Sequence, residues 1–206
     1  MFLKFLRQLG SGKSTQTIRG PADLSAIPAL VQSGAVQEAE RQLDAFLAAN
    51  PGHPEALHFL GLLHHQTGRT GHAMRLLGAA VEASPADAFL RTNYAEVLRA
   101  GGFLEAALEQ ARQAVVLDPE SPVAAFNLAT VLSVQQLPDK ALPHALRALQ
   151  AEPDSVMRLM LAASLHTRLD QPDEAGRLLE RVRALDPHHP GLRDSAAHPP
   201  TQSPGP

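Results

Sequence analysis

The sequence predicts an all-α fold made of about five helix–turn–helix repeats, and three sets of regularly spaced residues predict it. Prolines, each able to end a helix because proline cannot continue its hydrogen bonds, recur every 34 residues at Pro51, Pro85, Pro119, Pro153 and Pro187. Small residues that let paired helices approach recur in the same register at Ala39, Ala73, Ala107, Ala141 and Ala175. Glycines that favour a tight turn stand at Gly34, Gly68 and Gly102, and Gln136 and Asp170 take the corresponding places later in the chain.

The clearest repeat is residues 54–87. Leu57, Leu60 and His64 fall on one face of its first predicted helix, and Ala73 and Leu77 do so in its second. Extending this register predicts an array over residues 20–189, divided as 20–53, 54–87, 88–121, 122–155 and 156–189. In the first repeat we expect Ser25 to cap a helix that carries Pro28 in its first turn.

Both ends of the chain differ from the array. Residues 1–19 are predicted to be an amphipathic helix over Met1–Leu9 followed by a linker, and this helix is too short to span a membrane. The run Gly10–Thr15 resembles part of a phosphate-binding loop, but Arg7 stands where the loop needs its first glycine, which favours the linker. Residues 190–206 are rich in Pro, Ser and His and are predicted to be a disordered tail.

Composition narrows the class of function. The formal net charge is −3 with no block of basic residues, which argues against nucleic acid as a partner. Cysteine is absent, and the ten histidines include no His-x-x-x-His pair, so no metal site is expected. There is no Gly-x-Ser-x-Gly motif and no pair of carboxylates within an apolar run. We therefore expect a cytoplasmic, non-enzymatic protein that needs no cofactor and has no integral membrane span.

Runs such as Phe126-Asn127-Leu128-Ala129 and the segment from Ala56 to Gly61, together with the 34-residue register, resemble tetratricopeptide repeats over about residues 20–189. Within that family the runs are similar to the repeat arms of bacterial sulfotransferases and of O-linked N-acetylglucosamine transferase. The resemblance implies a right-handed superhelical solenoid in which the first helix of each repeat lines a concave groove.

The resemblance also implies which residues face that groove, namely positions 2, 5, 6, 9 and 12 of each repeat. Asn93 and Asn127 share position 6, which in the transferase arms is implied to bind peptide backbone, and an amide offers both a donor and an acceptor. The residues that we expect to bind a peptide are Asn93, Asn127, Phe89, Phe126, Arg99, Glu96, Thr130, Met157, Met160, His58 and His65.

These observations predict a scaffold that binds an extended or helical segment of a partner protein in the groove. Two alternatives remain open. The chain could assemble with itself through an uncovered fifth repeat and the Met1–Leu9 helix, giving a homo-oligomer. It could also be a separately encoded arm that recruits substrates for a glycosyltransferase or sulfotransferase. Among the groove positions of residues 54–167, Arg99 is the one Lys or Arg, which disfavours a ligand held by its terminal carboxylate.

Overall fold

The computed structural model of the protein describes residues 24–192, and within that range it contains ten α-helices, a short 3-10 turn and no strand. This confirms the predicted all-α class. The helices are α1 (Ile27–Gln32), α2 (Val36–Ala49), α3 (Pro54–Gln66), α4 (Thr70–Ala83), α5 (Ala88–Ala100), α6 (Leu104–Leu117), α7 (Pro122–Val134), α8 (Pro138–Ala151), α9 (Val156–Arg168) and α10 (Pro172–Leu185). The described residues form two compact units that divide between Ala86 and Asp87.

The first unit holds the 3-10 turn Leu24–Ala26 and helices α1 to α4, in which α2 packs against α1 and α3, and α3 packs against α4. A continuous apolar core forms because α1, α2 and α3 each turn one hydrophobic face inward. Its buried members include Ile27, Leu43, Phe46, Phe59 and Leu63.

The second unit holds helices α5 to α10 as three antiparallel pairs, α5 with α6, α7 with α8 and α9 with α10. The first helices of successive pairs also contact each other, α5 with α7 and α7 with α9. Neighbouring pairs are joined further by α6 against α7 and α8 against α9. Three first helices therefore lie side by side and expose a shared face.

The recurring prolines and alanines act as the spacing predicts. Helices α2, α4, α6, α8 and α10 each end two residues before a recurring proline. The alanines at the contacts between paired helices are fully or almost fully buried: Ala39, Ala73, Ala107 and Ala141 at 0% exposure and Ala175 at 4%. Side chains larger than a methyl group would push the paired helices apart at these positions.

The turn inside each repeat has a left-handed residue. Gly34, Gly68 and Gly102 have φ of 79°, 78° and 84°, which confirms the prediction made from these glycines. Gln136 and Asp170 occupy the same place with φ of 61° and 57°. A side chain is strained in this region, so the fourth and fifth repeats keep the turn at an energetic cost.

The first helices begin with side-chain caps in several repeats. The Asp87 carboxylate accepts from the backbone N–H groups of Phe89 and Leu90 at 2.8 and 3.1 Å, and Ser121 Oγ accepts from Ala124 N–H at 3.2 Å. The predicted Ser25 cap is wrong. A 3-10 turn over Leu24–Ala26 delays the helix by one residue, so Ala26 is the N-cap of α1 and makes no side-chain cap.

Several predictions fall outside residues 24–192. These are the Met1–Leu9 helix, the Gly10–Thr15 linker and residues 193–206 of the predicted tail. The first residues of that predicted tail are described, and Leu192 is 8% exposed. It packs in a cluster with Leu149, Leu159, Ala162 and Val182. The chain thus covers part of the apolar surface of its own fifth repeat.

Candidate functional site

The shared face of α5, α7 and α9 is the candidate site, and we call it the first-helix face. It is formed by positions 2, 5, 6, 9 and 12 of each repeat, which follow the i, i+3, i+4 spacing of one helical face. Its members are Phe89, Thr92, Asn93, Glu96, Arg99, Val123, Phe126, Asn127, Thr130, Ser133, Met157, Met160, Leu161, Ser164 and Thr167.

Two asparagines of this face lie deeper than a surface amide would. Asn93 is 3% and Asn127 is 8% exposed. The Asn127 amide nitrogen donates to the backbone carbonyl of Thr92 at 3.2 Å, which ties α7 to α5. The Asn127 Oδ1 atom is buried and accepts no hydrogen bond from the described residues. One half of this amide therefore stabilises the contact between repeats.

The accessible part of the first-helix face combines large apolar side chains with hydroxyl groups, and Ser164 and Thr167 are among its exposed members. Phe89, Val123 and Phe126 are half-buried, and Met157 is 40% exposed. Its charged members, Glu96 and Arg99, are half-buried on α5. A face of this kind offers dispersion contacts and little charge to a ligand, and methionine adapts readily to different side chains.

The hydroxyl groups along the face are mostly engaged in their own helices. Thr130 Oγ1 donates to the carbonyl of Phe126 at 2.8 Å, and Thr167 Oγ1 donates to that of Ala163 at 3.0 Å. Thr92 Oγ1 does the same toward Ala88 at 2.8 Å. These three hydroxyl protons are directed at carbonyls of their own helices.

Met160 packs at the end of the face. It lies against the cluster that contains Leu159 and Leu192. A methyl group built on Gly191 would come within 2.5 Å of Met160 Cε, so the last described residues are close to the Met160 side chain. Met160 is half-buried, and part of its surface is already used inside the chain.

Arg158 is a buried charge beside this face, and the sequence positions chosen for the groove do not include it. It is 5% exposed, and its guanidinium carbon lies 5.9 Å from the centre of the Phe126 ring. Its Nη1 forms an ion pair with Glu152, whose side chain is 49% exposed. The sequence does contain a signal for this burial. Arg158 is the third residue of its repeat, and the third residues of the three preceding repeats are the apolar Ala56, Leu90 and Ala124.

The two histidines predicted for the groove lie in the first unit, on α3. His58 is 1% exposed, and burial lowers its pKa to about 4. His65 is half-buried, with Nδ1 fully covered. The neutral form of His58 is therefore the one that the fold accommodates at neutral pH.

A second polar cluster in the first unit joins α2 to the end of α3. The Arg69 guanidinium donates to both carboxylate oxygens of Glu40 at 2.5 and 2.8 Å, and this lowers the pKa of Glu40. His64 Nε2 lies 3.3 Å from Glu40 Oε1, while burial lowers the pKa of His64. This cluster fixes the turn between α3 and α4 to the preceding helix.

Residues 24–192 offer neither a metal cluster nor a membrane span. No group of three or more His, Cys, Asp or Glu side chains in this range is placed to hold a metal ion. Within the same range, no helix has the length and apolar content needed to cross a membrane.

A family model described as tetratricopeptide repeat matches residues 24–88, 92–156 and 126–190 of the chain. Human tetratricopeptide repeat protein 7B is 33% identical over 95 residues, a match that spans 46% of this chain and 11% of that protein's length. The chain thus corresponds to a small part of that relative.

Solved structures with a similar fold share little sequence with the chain. YrrB, described as a protein of this repeat class with an unusual peptide-binding site, has a TM-score of 0.69 at 16% identity, covering 85% of this chain and 90% of its own. MamA from Desulfovibrio magneticus RS-1 has a TM-score of 0.69 at 16% identity, covering 91% and 97%. A repeat protein from Thermus thermophilus, TTC0263, has a TM-score of 0.66 at 23% identity, covering 84% and 95%. These similarities concern the fold.

Proposed function

The chain belongs to the tetratricopeptide repeat family, and from that premise we propose that it is a non-enzymatic scaffold that binds a peptide segment of a partner protein on the first-helix face. Proteins of this family generally mediate protein–protein interactions. The family therefore supports a protein partner, and the choice of the first-helix face rests on the residues of this chain.

The observation that carries the proposal is the accessible apolar row formed by Phe89, Val123, Phe126 and Met157. Large apolar side chains that stay partly exposed on a repeat array supply anchor pockets for a ligand. The description of YrrB as a peptide-binding member of the same fold adds support from a distant relative. The face carries few charges, so the ligand is expected to present apolar and uncharged polar side chains.

In the proposed function Asn93 and Asn127 contribute less to peptide binding than exposed asparagines would. Because both are buried and Asn127 already donates to Thr92, they cannot bind a peptide backbone as fully exposed amides would. The Asn127 Oδ1 atom, which accepts no hydrogen bond from the described residues, would become available to a peptide N–H if the face opened slightly. Apolar contacts are expected to supply most of the affinity.

The test uses a peptide probe selected from a random 12-residue phage library on the immobilised full chain. The probe is then labelled, and its Kd for the wild type and for variants is measured by fluorescence anisotropy. Phe126→Ala and Met157→Ala should each weaken binding, by about tenfold for Phe126, because anchor residues dominate the energy of an interface.

The matched control is Val116→Ala on α6, since Val116 is 78% exposed and belongs to a second helix. This variant should leave the Kd unchanged. The proposal is overturned if Phe126→Ala and Met157→Ala bind the probe as the wild type does, or if Val116→Ala alone weakens it.

The other two roles stay predictions. Leu192 covers part of the fifth repeat, which leaves less apolar surface there for self-assembly. The other element of that prediction, Met1–Leu9, lies outside the described residues. Light scattering of the full chain at increasing concentration distinguishes a monomer from an oligomer. The role as a recruiting arm for a transferase, and the cytoplasmic location, rest on the sequence.

A further inference from the structure

Arg158 breaks the pattern of its register. The third position of the first helices α3, α5 and α7 holds the buried residues Ala56, Leu90 and Ala124, and the buried Leu192 follows Arg158 by 34 residues. Leu90 and Leu192 are 5% and 8% exposed, and Arg158 is buried to the same degree at 5%. A charged side chain thus occupies a site that the fold otherwise fills with apolar atoms.

The burial of Arg158 is incompletely compensated. Its Nε and Nη1 atoms are covered and make no aligned hydrogen bond with the described residues, although Nη1 is ion-paired with Glu152. Because Glu152 is 49% exposed, water weakens the attraction that it supplies. Desolvation of the guanidinium is therefore expected to outweigh the gain from the pair. A residue that costs stability at a site where leucine fits requires another explanation.

The position of the guanidinium supplies that explanation. Its central carbon lies 5.9 Å from the centre of the Phe126 ring, within the range of a cation–π contact. Phe126 belongs to the apolar row of the first-helix face, and Met157, which is 40% exposed, directly precedes Arg158 in the chain. The Glu152 carboxylate forms an ion pair with the same guanidinium.

We propose that Arg158 is a positioning residue for peptide binding, which holds the Phe126 ring so that a ligand side chain can rest on it. This inference depends on the proposed function and names the ligand chemistry more closely. Because a cation already lies near the ring, and Val123 and Met157, which share position 2 of the fourth and fifth repeats, are apolar, we expect an uncharged apolar side chain in the ligand. Leucine, methionine and phenylalanine are the side chains expected at this point of the ligand.

The experiment compares Arg158→Leu with the wild type, using the same display-selected peptide and a thermal melt of each full chain. Leucine should raise the melting temperature or leave it unchanged, since it fits this register and leaves Glu152 in contact with water. The same substitution should raise the Kd of the peptide about tenfold, because the Phe126 ring loses the cation that holds it. A residue with a structural role alone would not move stability and affinity in opposite directions.

Two further variants sharpen the comparison. Arg158→Lys keeps a cation near the ring, so its Kd should fall between those of the wild type and Arg158→Leu. Arg181→Leu is the matched control, because Arg181 also contacts the loop before α9, donating to the Pro153 carbonyl at 2.5 Å, yet it is 45% exposed at its side chain and has no contact with Phe126 among those described. Its Kd should equal that of the wild type.

The outcomes distinguish a failure of this inference from a failure of the proposed peptide-binding function. If Phe126→Ala raises the Kd of the peptide and Arg158→Leu does not, the proposed role of Arg158 is overturned while the proposed binding face is supported. If Arg158→Leu melts at a lower temperature or does not fold, Arg158 is a stabilising residue and the inference is overturned. If neither Phe126→Ala nor Met157→Ala changes the Kd, the binding face itself fails.

Discussion

The amide nitrogen of Asn127 lies 3.2 Å from the carbonyl oxygen of Thr92, so a side chain at a predicted ligand position joins two first helices. Thr92 precedes Asn93, which occupies the same position one repeat earlier. The contact between repeats and the proposed contact with a ligand therefore involve the same residues. Variants of Asn127 should change stability even when no peptide is present.

For Asn127 we expect Asn127→Ala to lower the free energy of unfolding by about 1 kcal/mol, the usual net value of a buried hydrogen bond. Asn127→Asp should cost more at pH 7, since it places a buried carboxylate against a carbonyl oxygen and removes the donor. Urea unfolding of the three proteins measures the difference. Equal stability of Asn127→Asp and the wild type would show that this contact is not formed.

The register, the turns and the all-α fold could be predicted because each depends on the local chemistry of one residue. Proline ends a helix, alanine permits close approach, and a turn glycine adopts positive φ, whichever repeat contains it. The tetratricopeptide fold that these residues predicted is confirmed by the family match.

The burial of individual side chains on the first-helix face could not be predicted in the same way. Helical spacing shows which residues share a face, but the neighbouring repeat decides how much of each side chain it covers. Asn93, Asn127 and His58 were expected in the groove, and all three are buried. Arg158 was missed because its charge suggests a solvent-exposed position, although its register indicates a buried one.

The buried histidine predicts how stability depends on pH. Burial holds the pKa of His58 near 4 in the folded chain, whereas an unfolded histidine has a pKa of about 6.5. Between these values the unfolded chain binds more protons, so stability falls as the pH falls. We expect the first unit to lose about 1 to 2 kcal/mol between pH 7 and pH 5.

Thermal melts across this pH range test the dependence on His58. His58→Leu should reduce the slope, and some slope should remain because burial also lowers the pKa of His64. His188→Gln, at an exposed position, is the control and should keep the slope of the wild type. A His58→Leu chain with an unchanged slope would contradict the assignment.

The pairing of α3 with α4 depends on a glycine. A methyl group on Gly61 would lie 2.8 Å from Leu77 Cγ, which is too close without a shift of the helices. Gly61→Ala should therefore destabilise the chain by about 1 to 3 kcal/mol. Gly176→Ala in α10 is the matched control, because its methyl group would meet no atom within 4 Å. It should add stability through helix propensity, and chemical denaturation compares the two.

The left-handed residues Asp170 and Gln136 give a further test. Replacing Asp170, with φ of 57°, by glycine should stabilise the chain by about 0.5 to 1 kcal/mol, since strain is relieved at a small cost in unfolded-state entropy. Gln136→Gly should gain less, because Gln136 Oε1 accepts a hydrogen bond from Arg168 Nη2 at 2.9 Å. A Gln136→Gly variant that melts at a higher temperature than Asp170→Gly would show that relief of strain at Gln136 outweighs this bond.

The most direct test of the binding face is site-specific photo-cross-linking of the display-selected peptide. A photoreactive p-benzoylphenylalanine replaces Met157 on the first-helix face in one protein and Val116 on α6 in another. Because Val116 is the more exposed of the two, at 78% against 40%, accessibility alone would favour a cross-link there. A peptide bound to the first-helix face should cross-link at position 157 and not at position 116. A cross-link at position 116 with none at position 157 would contradict the account.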